Sequence, residues 1–145
     1  MPRPVHFEIP AENPERAMQF YSSVFGWKFN KWDGPMDYWV ISTGQPGEPG
    51  IDGGLMPRRD PNQPCVNTIS ISNVDESLQT IEKSGGVCVV PKMAVPGVGW
   101  LAYCKDTEGH IFGIVLTRCA GIRLPATFIR AVLDDAGKLD QPVFR

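Results

Sequence analysis

A strand–helix–glycine unit occurs twice in this chain, about 60 residues apart, and that repeat restricts its fold more than any other feature. The first copy begins with VHFEIP (5–10), where Val5, Phe7 and Ile9 alternate with His6 and Glu8 as in a half-buried strand. Asn13 then suits a helix N-cap, Pro14 the first helical position, and Glu15 the positive end of the helix dipole. Ala17, Phe20, Tyr21, Val24 and Phe25 form an apolar stripe at helical spacing, and Gly26 stops it. The second copy begins with CVNTISIS (65–72), Ile69 and Ile71 facing one way and Thr68 and Ser70 the other. Asn73 is its cap, Val74, Leu78 and Ile81 its stripe, and Gly85-Gly86 its stop. A fixed offset on which caps and stops agree marks a duplicated module.

Three strand-like stretches follow each helix. In the first half these are WKFNKW (27–32), DYWVIST (37–43) and GGLMP (53–57). In the second they are VCVVP (87–91), GWLAYCK (99–105) and HIFGIVLT (110–117), with turn-rich PGVG and DTEG between them. Each half therefore reads β-α-β-β-β, and RRDPNQP (58–64) links them. The fold class expected is α+β. Two βαβββ modules, about 4–58 and 65–118, would form one curled mixed sheet around a central cleft, helices outside. Residues 119–145 lie outside the repeat. There Leu124, Phe128, Ile129, Val132 and Leu133 predict a short helix near 125–136 that docks on its own domain or on a partner subunit.

Composition excludes several classes of function. A net charge of −2, with no run of Lys or Arg, gives no electrostatic case for nucleic acid. No apolar run approaches the roughly 20 residues that span a bilayer, and the N-terminal residues lack a signal peptide's apolar stretch. The four cysteines (Cys65, Cys88, Cys104, Cys119) form no CxxC pair, and neither Cys65 nor Cys104 has a histidine close in sequence to activate it. Reduced thiols in a cytoplasmic protein are the expectation. The glycine-rich GQPGEPGIDGG and VPGVGW match no phosphate-binding pattern and lead into no helix, so they read as hairpin loops.

VHFEIP followed by PERAMQFYSSVFGWKF, and later KMAVPGVGWLAYCKDTEGHIFGIV, resemble the vicinal oxygen chelate superfamily of glyoxalase I, bleomycin-resistance proteins and extradiol dioxygenases. The resemblance covers about residues 4–117 and is nearest to the branch of predicted enzymes related to lactoylglutathione lyase. It implies a cleft that, in metal-dependent relatives, holds a divalent cation through four side chains, one from the first and one from the last strand of each module. Imidazole and carboxylate ligands suit such a metal. It also implies a homodimer.

Transferred position by position, the resemblance places one ligand at His6. The equivalent in module two is Val66, or Asn67 with a one-residue slip. The last-strand positions are Gly113 in module two and Gly54 or Leu55 in module one. One ligand of four is present, so no cofactor is expected, a divalent metal being the alternative. Ordinary glyoxalase I activity is likewise not expected.

Glu8 lies two residues from His6 on the same strand face, so both can point into the cleft. A carboxyl there should have a raised pKa unless His6 pairs with it. Tyr38, Thr68, Tyr103 and Gly113 are read as cleft-lining; Tyr38 and Trp39 are adjacent, so only one of the two can face inward. His110 reads as a solvated turn residue. The small apolar floor at Gly54, Val66 and Gly113 suggests space for an organic ligand rather than an ion. Two readings remain open. One is a metal-free protein binding a small organic molecule; the other is a lyase or isomerase moving a proton on a carbonyl or hydroxyl compound through His6 and Glu8. A third possibility is an accessory subunit that binds another protein through an edge or the tail.

Overall fold

The computed structural model describes residues 1–33, 37–95 and 99–117. Module one comprises β1 (Arg3–Ala11), α1 (Pro14–Phe25), β2 (Lys28–Lys31), β3 (Trp39–Ser42) and β4 (Gly53–Pro57). Module two comprises β5 (Val66–Ser70), α2 (Val74–Lys83), β6 (Val87–Val95), β7 (Gly99–Lys105) and β8 (Ile111–Thr117). All eight strands join one curled, open, mixed sheet in the order β2-β3-β4-β1-β5-β8-β7-β6. The expected α+β architecture is what the chain adopts. The helix expected near 125–136 lies outside the described residues.

The modules meet along β1 and β5, which pair antiparallel with Phe7 opposite Asn67. Those two residues are one position in the repeat, so a local twofold passes between them. It sets His6 opposite Thr68 and Glu8 opposite Val66. Beyond β1 and β5 the outer pairings repeat: β4 runs parallel to β1 with Glu8 beside Gly54, and β8 parallel to β5 with Thr68 beside Gly113.

The helix signals act as the sequence implies. Asn13 Oδ1 accepts from Arg16 N–H at 2.9 Å and Asn73 Oδ1 from Glu76 N–H at 3.2 Å, each satisfying an otherwise orphaned donor of the first turn. Gly26 closes α1 in the left-handed conformation at φ 71°. Its conformational counterpart in module two is Gly85 at φ 91°, one residue earlier than the strict repeat; Gly86 instead lets the chain pass close to the Lys105 carbonyl.

The sheet buries both faces. On the helix side, Ala11, Ile41 and Leu55 pack with Phe7, Ile9, Ala17, Met18 and Trp27 beneath α1. Val74, Ala102, Cys104 and Ile114 do the same beneath α2. On the concave side Tyr38, Met56, Val66, Val90, Met93, Leu101, Tyr103 and Val115 form one cluster drawn from both modules. Each large apolar side chain fully buried this way is worth roughly 1.5–3 kcal/mol.

Three expectations are corrected. Val5 joins the concave cluster rather than the Phe7–Ile9 face, because the β1–β5 register shifts between Pro4 and His6 and re-aims it. β6 runs on to Val95 instead of stopping at Pro91. It is an edge strand with register shifts between Cys88 and Val90 and between Val90 and Met93, where a proline is tolerated. The α1 stripe is only partly covered: Phe20, Val24 and Phe25 remain 56%, 54% and 59% exposed. No helix among the described residues is long and apolar enough to cross a membrane.

Candidate functional site

The concave face of β1 carries two ionisable side chains into an apolar interior. His6 and Glu8 are only 4% and 6% exposed, more buried than the half-buried Phe7 and Ile9 that alternate with them. Period-two alternation puts both on this face, and the curl of the sheet closes over them. Of the aromatic neighbours in sequence, Tyr38 turns inward and Trp39 outward beneath α1.

Two tyrosines meet the pair. His6 Nε2 lies 3.3 Å from the Tyr38 hydroxyl. The Tyr103 hydroxyl donates to Glu8 Oε2 across 3.5 Å, a long bond. Tyr38 comes from the segment just before β3 and Tyr103 from the middle of β7, so each module contributes one. Burial governs the protonation of all four groups. Desolvation lifts the Glu8 carboxyl to about 7, against the opposing effect of the Tyr103 hydrogen bond. Desolvation lowers His6 to about 4, with Asp52 pulling weakly the other way. Both tyrosines are pushed well above the ordinary phenol value, first by burial and then by the nearby Glu8. Near neutral pH His6 is uncharged and Glu8 is poised between its acid and its carboxylate.

The other ligand positions inherited by resemblance are filled by neighbours. A Cβ at Gly54 would overlap the Tyr38 hydroxyl, so the space a ligand side chain would take there holds the phenol. At Gly113 a Cβ would lie 2.7 Å from Thr68 Oγ1 and 3.2 Å from its methyl. Val66 supplies no donor atom. These residues do not fit a four-ligand metal centre, and among the described residues no group of three or more His, Cys, Asp and Glu side chains is placed to hold an ion. The floor read as open space at Gly54 and Gly113 is thus occupied by Tyr38, from the segment before β3, and by Thr68, which pairs with Gly113 in register on the neighbouring strand.

Tyr38, Thr68, Tyr103 and Gly113 do gather on this face with His6 and Glu8, all of them buried. Thr68 adds a feature that sequence reasoning missed. Its Oγ1 is buried with no hydrogen-bond partner among the described residues. Only the register opposite His6 reveals this, since a threonine in an alternating strand is ordinarily solvated or paired. His110 is outside the site: it is 80% exposed and holds Asp106 through its backbone N–H at 2.8 Å, with Nδ1 3.3 Å from Oδ2.

The bleomycin resistance protein-like N-terminal family matches residues 3–44. A glyoxylase-like domain-containing protein of Didymella fabae is 30% identical over 112 residues, covering 74% of this chain and 88% of that protein. Among solved structures, a hypothetical protein from Bacillus halodurans C-125 superposes with a TM-score of 0.62 at 12% identity, covering 83% of this chain and 98% of its own. Methylmalonyl-CoA epimerase from Mycobacterium tuberculosis gives 0.60 at 12% identity, covering 80% and 88%. A glyoxalase/bleomycin resistance protein/dioxygenase superfamily member from Vibrio splendidus 12B01 gives 0.58 at 13%, covering 81% and 99%. At these identities the structures show the fold alone.

Proposed function

We propose, since the chain belongs to the vicinal oxygen chelate superfamily of glyoxalase-like and bleomycin-resistance-like proteins, that its concave face binds a small organic molecule without the superfamily's metal. The observation that carries this reading is unspent hydrogen-bonding capacity in an apolar interior. Glu8 has one long partner and Thr68 Oγ1 has none among the described residues. A buried polar atom left unmade costs about 1–3 kcal/mol, which a bound hydroxyl or carbonyl would recover. The apolar surroundings from Met56, Val66, Leu101 and Val115 suit the body of such a molecule. Entry requires Tyr38 or Thr68 to turn aside, since both stand over the glycines. The protein is read as cytoplasmic and homodimeric, with no nucleic-acid partner.

A second reading rests on one further observation, the Glu8 carboxyl raised to about 7. A group with that pKa exchanges a proton readily near neutral pH, as proton transfer beside a carbonyl requires. Tyr103 and Tyr38, both protonated, would donate to the oxygen on which charge develops. Lyase or isomerase chemistry on a small carbonyl or hydroxyl compound would follow. Here His6, uncharged, would position the Tyr38 hydroxyl 3.3 Å away.

One preparation tests both readings. Metal content of tag-free protein after dialysis against Ni, Zn, Mn and Fe is expected far below one ion per chain and unchanged by His6→Ala. Near-stoichiometric metal that His6→Ala abolishes would overturn the metal-free reading. The hemithioacetal of methylglyoxal and glutathione, with Ni or Zn added, is expected to remain unconverted. A thermal-shift screen of small carbonyl and hydroxyl compounds should find stabilisers by mass action, with Glu8→Gln and Thr68→Val losing the shift. Turnover that survives Glu8→Gln would sink the proton-transfer reading.

A further inference from the structure

Cys88 and Cys104 lie directly opposite one another on β6 and β7, next to the pairing of Val87 with Lys105. Both side chains turn to the helix side, where they join Val74, Ala102 and Ile114 beneath α2. Cys104 is fully buried, Cys88 is half-buried, and both are free thiols. The thiols are hydrogen-bonded: Cys104 donates to Cys88 Sγ, and Cys88 donates to the Val90 carbonyl at 3.5 Å. Opposed residues of an antiparallel pair have Cα atoms about 4.5–5.5 Å apart, inside the roughly 4.4–6.8 Å that a disulfide spans. Cys65 has no such partner here. It precedes β5, two strands from β7, and two strand spacings are about 10 Å, beyond the roughly 7 Å limit for a bridge.

We propose that Cys88 and Cys104 are a redox-active pair that closes a reversible cross-strand disulfide by exchange with a small-molecule disulfide. Cys88 is the attacking sulfur, because solvent reaches it and its thiolate keeps the hydrogen bond from Cys104. Its sulfur bonds to one sulfur of the small disulfide, and the other leaves as a thiol carrying the Cys88 proton. Cys104 Sγ then attacks Cys88 Sγ, and the second small thiol leaves with the Cys104 proton. Two protein thiols are oxidised and one disulfide is reduced to two thiols. Burial raises both protein thiols, Cys104 to about 12, and the Glu82 carboxylate adds to the shift. The pair therefore oxidises slowly, under sustained oxidation, and stays open in a reducing compartment.

The bridge falls where the sheet is weakest. β6 is an edge strand, and its register slips between Cys88 and Val90 and again between Val90 and Met93. A bond at Cys88 fastens the end of that strand just before the first slip. Val90 and Tyr103, opposite one another on the same two strands, belong to the concave cluster. Oxidation on the helix side thus ties down the strand pair that walls the concave side.

The test uses native full-length protein held with excess oxidised glutathione. Remaining thiols are capped with N-ethylmaleimide before intact mass and unreduced tryptic peptides are measured. A species about two mass units lighter is expected, the two hydrogens lost on bridging, and dithiothreitol should reverse it. Peptides 84–92 and 93–105, which trypsin separates after Lys92, should be found joined. Cys65→Ser with Cys119→Ser should still close the bridge, and Cys88→Ser should leave Cys104 reduced. Amides of β6 should exchange at least about tenfold slower in the oxidised protein. Cys88 stopping as a stable glutathione adduct, Cys104 joined to another cysteine, or both thiols staying reduced while Cys65 reacts would each overturn the proposal. A bridge that leaves β6 exchange unaltered would overturn its role as a fastener.

Discussion

Equivalent positions of the two modules are related by the local twofold between β1 and β5, and their contents differ. Where module one has His6 and Glu8, module two has Val66 and Thr68. The last-strand glycines match, Gly54 beside Glu8 and Gly113 beside Thr68. Yet Gly54 is roofed by Tyr38, from the segment before β3, and Gly113 by Thr68, its register partner on β5. The frame is duplicated and the chemistry is not. Strand pairing needs only backbone groups and alternation, so a module can lose its polar inner face without losing its fold. Module one alone retains groups that titrate, and both modules supply the phenols that surround them.

The two glycines provide the strongest way to break this comparison. Gly54→Ala drives a methyl into the hydroxyl of a fully buried Tyr38, whose ring is fixed in the concave cluster. A loss of about 3 kcal/mol is expected, measured by urea unfolding. Gly113→Ala meets Thr68 Oγ1 at 2.7 Å, the end of a small side chain, and should cost about 1 kcal/mol. In a Tyr38→Leu background, Gly54→Ala should cost markedly less than in the native chain. Equal losses at the two glycines would mean that the roofs do not differ as described.

Next in size is a pH effect that exists only in module one. Folded Glu8 titrates at about 7, above its ordinary value of 4.5. Its contribution to stability is therefore full below 4.5 and lost as pH rises to about 7. Folded His6 titrates at about 4, below its ordinary 6.5, so its contribution is lost as pH falls from 6.5 to about 4. Between about 4.5 and 6.5 the two slopes oppose, and the pair keeps a nearly constant cost of about 3 kcal/mol in that window. Removing either partner exposes the other. Relative to native protein, the stability of Glu8→Gln should rise by about 1.4 kcal/mol per pH unit between 4.5 and 7. That of His6→Asn should fall by a similar amount per unit between 4 and 6.5. Parallel stability–pH curves for all three proteins would show that the pair is not buried in its neutral form.

Much of this arrangement was legible in the residues. Caps at Asn13 and Asn73, the glycine stops and period-two alternation depend on local chemistry, so the order β-α-β-β-β could be read directly. The inward direction of His6, Glu8, Thr68 and Tyr103 follows from the same alternation. What stayed hidden depends on the curl and on breaks in register. Nothing near Gly54 in sequence signals that Tyr38 stands over it. The re-aiming of Val5 depends on a bulge, and the passage of β6 through Pro91 on its edge position. The exposed half of the α1 stripe escaped for the same reason: helical spacing shows which residues share a face, not whether anything covers them.

The smallest effect separates a structural threonine from one kept for a ligand. Thr68 Oγ1 is buried and has no partner among the described residues, while its packing is complete. Thr68→Val keeps the shape and removes the desolvated hydroxyl, so the unliganded protein should gain about 1 kcal/mol. The equivalent change in reverse, Val66→Thr beside Glu8, gives the new hydroxyl a carboxyl within reach and should cost less than a typical orphan. If Thr68→Val is destabilising instead, the hydroxyl already makes a bond in the folded protein, and its capacity is not free for a ligand. If it stabilises the protein while abolishing the thermal shift from compounds that stabilise native chain, the hydroxyl is held unsatisfied at a cost in stability because binding uses it.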